Sequence, residues 1–598
     1  MKVLFPLLLL LAAGPPEVRG QPIPVGDLRG ELFRLHQLLS DSALTTSHTN
    51  RPLWRHSWLE LLEREGYEGG SWWNDAMETP THTIRSGVLG EVTLGVYEPV
   101  LTNTYNTHLP HGENNGAAWY GVGHNTEVRG GVWLTSDWFT LTFRPHYAYQ
   151  QNRDFPPPRF IPEYPDGRIR YVAEGFLQED TLAERIDRPF RFGPDPFSTW
   201  DLGETSLRVH YRQLELGVSN EPLWWGPAVN YPLVMSNNAP GLRHAFLGTR
   251  EPLPLPWNAG SLDFRWILAR PQDSDYFDLN LEGAPNELNR YEREGLLLAG
   301  RFMNGLNVAW TPSFVPNLTL GLSRVIHQYR PSERLGIAGD GPLGWSDYTA
   351  IFKRFPRPRL EAYEGSRDES YHQHVNGLAS VWFRWVFPES NAEVYGEFYK
   401  EDHNWNLRDL ITQPQHARAW TVGVQKLFEP SWADFVRVHA EFNSLLPGNI
   451  DEVRPQSYAY THKKVKQGHT NRGQVLGAAI GPGSTSQYVG VEAWFERGKA
   501  GFFLQRVVEN DQFHYEFYQR NFPEGGFKDQ FHHQVKFNIG LNGTYRYGPL
   551  LLEGEMKWNY QLNYGRYDYG TWVGGYLNRS YEDDFLNVHY RLRLRYLF

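Results

Sequence analysis

The stretch from Asn587 to Phe598 restricts the fold more than any other part of the chain. Val588, Tyr590, Leu592, Leu594, Tyr596 and Phe598 are apolar or aromatic, and Asn587, His589, Arg591, Arg593 and Arg595 stand between them. Side chains of a β-strand point alternately to its two faces. This strand therefore presents one oily face and one strongly cationic face. In the core of a soluble sandwich, three inward arginines on one strand would be hard to satisfy. A polar barrel lumen accommodates them, with the apolar face against lipid. The expectation is a transmembrane antiparallel β-barrel, with the arginines inexpensive in a water-filled lumen. A phenylalanine closing such a strand also resembles the signal read by the outer-membrane insertion machinery.

The alternation extends far upstream. Val535, Phe537, Ile539, Leu541, Tyr545 and Tyr547 share one face, and Gly548-Pro549 makes a tight turn. The partner strand turns Leu552, Gly554, Met556, Trp558 and Tyr560 outward and Glu553, Glu555 and Lys557 inward. Val381, Phe383, Trp385 and Phe387 lead into a short turn at Pro388 to Asn391, and Glu393, Tyr395, Glu397 and Tyr399 follow on the luminal face. Barrels keep periplasmic turns short and external loops long, so Gly548 is expected on the periplasmic side and the stretch 564–584 outside. No helical pattern of length interrupts the chain from about Val88 onward. The absence of a short internal repeat disfavours a propeller.

Composition narrows the class further. The chain has 22 Trp and 33 Tyr, which suits the two interfacial girdles of a barrel. Mean hydropathy is -0.55, and no apolar run approaches the ~20 residues a spanning helix needs. With no cysteine there is neither a disulfide framework nor a thiolate metal site. A net charge of -10 argues against non-specific binding of nucleic acid.

Residues 1–20 read as a signal peptide: Met1-Lys2, an apolar run from Leu7 to Ala13, and Val18-Arg19-Gly20 before a new start at Gln21. Residues 21–87 read as a periplasmic helical segment. Leu28, Leu32, Leu35 and Leu39 share one helical face. A second helix is expected from Pro52, a favoured first-turn residue, with Trp54, Trp58, Leu61 and Leu62 as its stripe. Residues 88–598 form the expected barrel.

Several segments, in order, carry a family likeness. Trp225-Gly226-Pro227 is followed by Ser236-Asn237-Asn238-Ala239-Pro240 and by His244 to Thr249. Upstream are His111 to Asn125 and Ile186 to Gly193; downstream are Gly468 to Gly477 and Gly481-Pro482-Gly483-Ser484. Together with the start around Gly26, these motifs span nearly all of the chain beyond its signal. They resemble the capsule assembly Wzi family of outer-membrane proteins. The resemblance implies a barrel of about eighteen strands with a small helical bundle at the periplasmic mouth. It also implies a lectin-like role, holding capsular or related polysaccharide at the cell surface, and no enzymatic activity.

The candidate polysaccharide contacts are Trp224, Trp225, Asn237, Asn238, His244, Lys463, Lys464, Lys466 and Arg472. Tryptophan faces stack on sugar rings, and asparagine amides both donate to and accept from hydroxyls. The basic run around Lys463 would attract an acidic polymer. A structural alternative stands beside each: Trp224 to Gly241 builds a fixed loop that plugs the lumen, and the lysines neutralise lipopolysaccharide phosphates or face solvent. Catalytic signatures are missing, with no Gly-x-Ser-x-Gly elbow and no His-Glu-x-x-His. Glu393 and Glu397 stand ~13 Å apart along a strand, beyond the ~9.5 Å of paired glycosidase carboxylates. Glu553 and Glu555 are closer, but Lys557 adjoins them. His372 and His374 are weak metal-ligand candidates. No catalytic residue, metal or cofactor is therefore expected. The expected partners are polysaccharide, outer-membrane lipid and lipopolysaccharide, and the insertion machinery. A passive porin and an outer-membrane glycan hydrolase are the rival readings.

Overall fold

The computed structural model describes residues 22–40, 46–54, 81–86, 90–155, 186–189, 191–275, 300–329, 343–352, 375–401, 407–447, 458–462, 465–509, 534–564, 572–573, 576–577 and 584–598. Eighteen antiparallel strands close into one barrel. The first six are β1 (Gly90–Asn106), β2 (Gly123–Thr135), β3 (Phe139–Phe143 and His146–Gln150), β4 (Phe197–Asp201 and Ser206–Tyr211), β5 (Leu214–Ser219) and β6 (Arg243–Thr249). Then come β7 (Ser261–Arg270), β8 (Arg301–Thr311), β9 (Leu318–Tyr329), β10 (Val375–Phe387), β11 (Ala392–Glu401) and β12 (Arg418–Phe428). The ring continues through β13 (Phe435–Ser444), β14 (Thr485–Phe495), β15 (Gly498–Val508), β16 (Val535–Tyr547), β17 (Leu550–Leu562) and β18 (Phe585–Tyr596).

Closure comes from β18 against β1, with His589 opposite Asn106 and Arg595 opposite Val100. Prolines mark the irregular points, since proline cannot donate to a ladder. Pro145 separates the two pieces of β3, and Pro99 lies in the register shift of β1 between Tyr97 and Val100. The sheet begins ahead of Val88: Thr81–Ser86 already pairs with the start of β1.

Short and long connections alternate around the ring. Residues 136–138, 212–213, 388–391, 496–497 and 548–549 make the tight turns, and Arg212, Asn391 and Gly548 take the left-handed backbone there. The stretches 107–122, 220–242 and 445–484 are long. The outer wall is apolar, with Val381, Phe383, Trp385, Ile539 and Leu541 exposed, as hydrocarbon contact requires. Exposed aromatics Trp138, Trp257, Phe314, Trp432 and Tyr547 gather at the short-turn end, where a girdle belongs.

The lumen is packed. Helix α1 (Leu28–Leu39) is N-capped by Asp27, whose carboxylate accepts from the Arg29 N–H. Leu28, Leu32, Leu35 and Leu38 meet Leu53, Val386, Leu427, Phe435, Trp494, Leu551 and Leu597 at the short-turn end. That end faces the periplasm in outer-membrane barrels. The second helix expected from Pro52 is not formed at its start. Leu53–Trp54 is extended and pairs with Pro22–Ile23, while Asn50–Arg51 pairs with Trp224–Trp225. Partner strands on both sides fix the backbone, and Trp54 is buried beneath the guanidinium groups of Arg208 and Arg250, 5.4 and 4.8 Å from its ring. Trp58, Leu61 and Leu62 lie outside the described residues.

A further correction concerns the arginines of β18. Arg595 is buried, and Arg591 and Arg593 are half-buried beside a polar cavity. Arg595 donates to Asp27 at 2.8 Å, Arg593 pairs with Glu553 at 3.3 Å and Arg591 with Glu555 at 3.0 Å. Each is met by a carboxylate, so ion pairs compensate the charge that an open lumen would leave to water alone. Removing one partner of the buried Arg595–Asp27 pair costs roughly 3–5 kcal/mol.

Candidate functional site

The β5–β6 connection, residues 220–242, turns into the barrel instead of rising from it. Gly226 permits the turn: its φ is +91°, and a Cβ there would meet a Glu397 oxygen at 3.2 Å. The wall then grips the loop with carboxylates. Glu441 on β13 accepts from the backbone N–H groups of Val229 (2.7 Å), Asn230 (3.1 Å) and Tyr231 (3.0 Å), and from the Tyr395 hydroxyl (2.7 Å). Glu397 on β11 accepts from Leu233 N–H at 3.0 Å. Glu401, four residues on, accepts from Tyr460 N–H at 2.9 Å and so anchors the second inward loop, 445–484.

The two loops lock onto one another. Ser236 N–H donates to Leu476 O at 2.7 Å, and the Tyr460 hydroxyl donates to Leu233 O at 2.7 Å. His469 is fully buried, with Nε2 2.6 Å from Val234 O and Nδ1 2.7 Å from His327 Nε2. The carbonyl requires the proton on His469 Nε2, so Nδ1 accepts from His327. Burial pushes the His469 pKa down to about 4. Trp225, Tyr231, Leu233, Met235, Tyr460 and Leu476 form one core with Ile267, Met303, Val325 and Leu378 of the wall.

The sequence-nominated residues sit within this plug. Trp224 is buried, donates from Nε1 to Ala228 O at 3.1 Å, and carries the Arg51 guanidinium 4.4 Å from its ring. Trp225 has no exposure. Both tryptophans are packed inside the barrel, and Trp224 borders a cavity beside α1. Asn237 is buried, with its backbone carbonyl accepting from Gly116 N–H at 2.6 Å. Asn238 Nδ2 donates to Val475 O at 2.9 Å. His244 is buried, Nδ1 2.7 Å from Leu242 O. Arg472 pairs with Asp201 at 2.6 Å. Lys466 is half-buried and its N–H donates to the Tyr329 hydroxyl at 3.0 Å. Lys463 and Lys464 lie outside the described residues. The basic run is thus not wholly an open loop, since Val465, Gln467 and His469 are buried.

Sequence reasoning missed the residues that build the site: Glu397, Glu401 and Glu441 as loop anchors, and Arg51 against Trp224. Luminal alternation placed the glutamates inside but gave no hint of their partners. The carboxylates considered for catalysis are engaged. Glu393 takes Arg34 at 2.6 Å and Arg384 at 2.7 Å. Glu553 and Glu555 take the arginines of β18. Among the described residues no group of His, Asp or Glu is arranged to hold a metal ion, and His372 and His374 lie outside them.

Polar space remains on one side of the plug. A cavity of about 370 Å³ lies between α1 and the wall of β15–β18. A second, of about 250 Å³, shares Glu113, Asn230, Asn542, Glu555 and Arg591 with it.

A family model described as capsule assembly protein Wzi matches residues 105–547. Among solved structures, the chain is similar to Wzi of Escherichia coli, described as an outer membrane protein involved in group 1 capsule assembly and a carbohydrate-binding β-barrel. Identity is 14%, coverage is 97% of this chain and 100% of that one, and the TM-score is 0.57. OprD of Pseudomonas aeruginosa matches at 8% identity over 84% of this chain and 93% of its own, with a TM-score of 0.33. None of the curated proteins matches.

Proposed function

The chain belongs to the capsule assembly protein Wzi family, and from that premise we propose that it is an outer-membrane, lectin-like barrel that holds capsular or related polysaccharide at the cell surface without chemically altering it. The observation that carries this reading is the lumen filled by the barrel's own long loops. A barrel so filled works through its outer face, not its bore. The carbohydrate binding ascribed to Wzi of Escherichia coli supports the same assignment. The buried tryptophans and asparagines then shape the outer loops, and contact with polymer falls to the loop ends. The lysine run at Lys463, Lys464 and Lys466 supplies attraction for an acidic chain. Each contact is weak, so retention relies on many repeats engaging together. Residues 1–20 act as the export signal, and lipopolysaccharide and the insertion machinery are the remaining partners.

The test is deletion of the gene followed by separate measurement of cell-bound, shed and total polysaccharide. The expected outcome is less bound and more shed polymer at an unchanged total. Neutral substitution of the three lysines should shift polymer the same way, and less so at high salt, where exposed charges are screened within ~10 Å at 0.1 M. Unchanged retention in the deletion strain would refute the assignment. Large stable conductance from the purified protein would favour the porin reading.

A further inference from the structure

Among the described residues, the short-turn end of the lumen holds more positive charge than its neighbours balance. Arg34 on α1 and Arg384 on β10 share one carboxylate, Glu393, at 2.6 and 2.7 Å. Arg384 spends its remaining donors on neutral groups, Gln37 Oε1 at 2.7 Å and Ser47 O at 2.9 Å. Among the described residues, Arg51 has no carboxylate partner. Its Nε and one terminal nitrogen are enclosed without a hydrogen-bond partner, and its guanidinium lies over Trp224. The charges that act on Arg51 most strongly are those of Arg34 and Arg384, both repulsive. The terminal nitrogens of Arg34 and Arg384 that lack a well-directed hydrogen bond are those already in ion-pair contact with Glu393, and both side chains are more than nine-tenths buried.

Arg34 and Arg51 line the larger cavity, about 370 Å³, a volume within the usual range for a small-molecule site. The other carboxylates on its lining are already engaged. Asp27 binds Arg29 and Arg595, Glu31 binds Arg437 and Lys499, and Glu553 and Glu555 bind Arg593 and Arg591. Glu113 accepts from the Tyr231 hydroxyl at 2.6 Å. A guanidinium does not release its proton in a protein; Arg51 as a whole is half-buried, but its enclosed nitrogens carry charge without a counter-ion, which is strongly disfavoured. Water would satisfy the idle donors but not the charge.

We propose that this cavity is an anion site, in which Arg51, with Arg34 beside it, holds a small oxyanion or carboxylate. Planar, forked donors suit a carboxylate, sulfate or phosphate group. Two sources share that chemistry: a free small anion, or an acidic sugar unit. Asn237, whose Oδ1 is buried without a hydrogen-bond partner, lines the same cavity and would accept from the hydroxyl of a sugar. The site stands whether or not the barrel retains polysaccharide.

The test uses the full protein in detergent, in a zwitterionic buffer, melted with increasing sodium sulfate, sodium glucuronate, glucose or ionic-strength-matched sodium chloride. Sulfate or glucuronate should raise the melting temperature saturably beyond chloride, and glucose alone should not. Arg51→Gln should need at least about tenfold more anion for the same rise. Crystals of the unmodified protein soaked in selenate should show an anomalous peak against Arg51, which decides the matter if Arg51→Gln fails to fold. A response to sulfate but not glucuronate assigns a free anion, and a tighter response to glucuronate assigns an acidic sugar. Equal responses in wild type and Arg51→Gln, or no peak at Arg51, would overturn the proposal.

Discussion

Glu441 is the residue whose change should most clearly separate the plug from the barrel. Its carboxylate receives three successive backbone N–H groups, the Tyr395 hydroxyl and, at 3.2 Å, Asn443 Nδ2. In Glu441→Gln one oxygen becomes an NH2 group and the charge disappears. The Tyr395 hydroxyl rotates to accept from it, but a backbone N–H cannot reverse. One or two N–H groups of residues 229–231 lose their acceptor, at ~1–3 kcal/mol each, and the surviving bonds lose their charge assistance. The sum is about 3–5 kcal/mol. The ladder of β13 is unaffected, so the penalty falls on docking of the loop and not on closure of the barrel. A shift of 3 kcal/mol multiplies the open population by roughly 10². Hydrogen exchange at Val229, Asn230 and Tyr231 should accelerate by about that factor, while the heat-modified gel mobility of the folded barrel stays as it was. Unchanged exchange at those amides would refute the view that Glu441 holds the plug. Loss of the folded gel band would show that plug and barrel fold as one unit.

The other predictions concern the plug's remaining fastenings. Asp27→Ala removes the cap of α1, about 1 kcal/mol, and leaves Arg29 and Arg595 short of a buried partner, roughly 3–5 kcal/mol more. A cysteine at Gln37, now buried, should then react with thiol reagents in opened cells yet stay protected from impermeant reagents outside intact ones. Labelling from outside would place the helix at the wrong end. His469 is held neutral, so the stability it contributes is present above its unfolded pKa of about 6.5 and is lost as pH falls toward about 4. Exchange at Ser236, whose N–H bonds Leu476, should rise across that window, and a flat profile would exclude His469 as a latch. The unmodified barrel should show little or no conductance in planar bilayers, and Glu441→Gln should show transient openings.

Much of the wall could be read from alternation because each strand borders two unlike media. Val381, Phe383 and Trp385 face lipid while Glu393, Tyr395, Glu397 and Tyr399 face inward, and a slip of one residue would reverse every position. The pattern fails where another segment changes the medium. Asn304 and Gln328 lie on the outward faces of β8 and β9 yet are buried, because residues 344–352 fold back over them. Asn304 Nδ2 donates to Tyr348 O at 2.7 Å, and Gln328 Nε2 to Asp347 at 3.2 Å. The strand code reports a side, not what covers it.

The same limit explains why the site was less legible than the fold. A polar inward face is what an open pore needs, and equally what a plug needs if its backbone is to be bound by side chains. Glu441 reads identically in both cases, and only the arrival of Val229 to Tyr231, more than two hundred residues away along the chain, decides between them. Trp224 and Trp225 resembled stacking platforms because they stand in a Gly/Pro-rich stretch, which looks like surface loop. Their pairing with Asn50–Arg51 turns that stretch into interior. One long-range contact thus joins the loop that enters from outside to the segment that enters from the periplasm. It brings both tryptophans inside the barrel, and it carries Arg51 to a place where, among the described residues, no carboxylate pairs with it. That unmatched charge follows from the plug's own topology, so if Arg51 holds the proposed anion, anything that undocks residues 220–242 should release it as well.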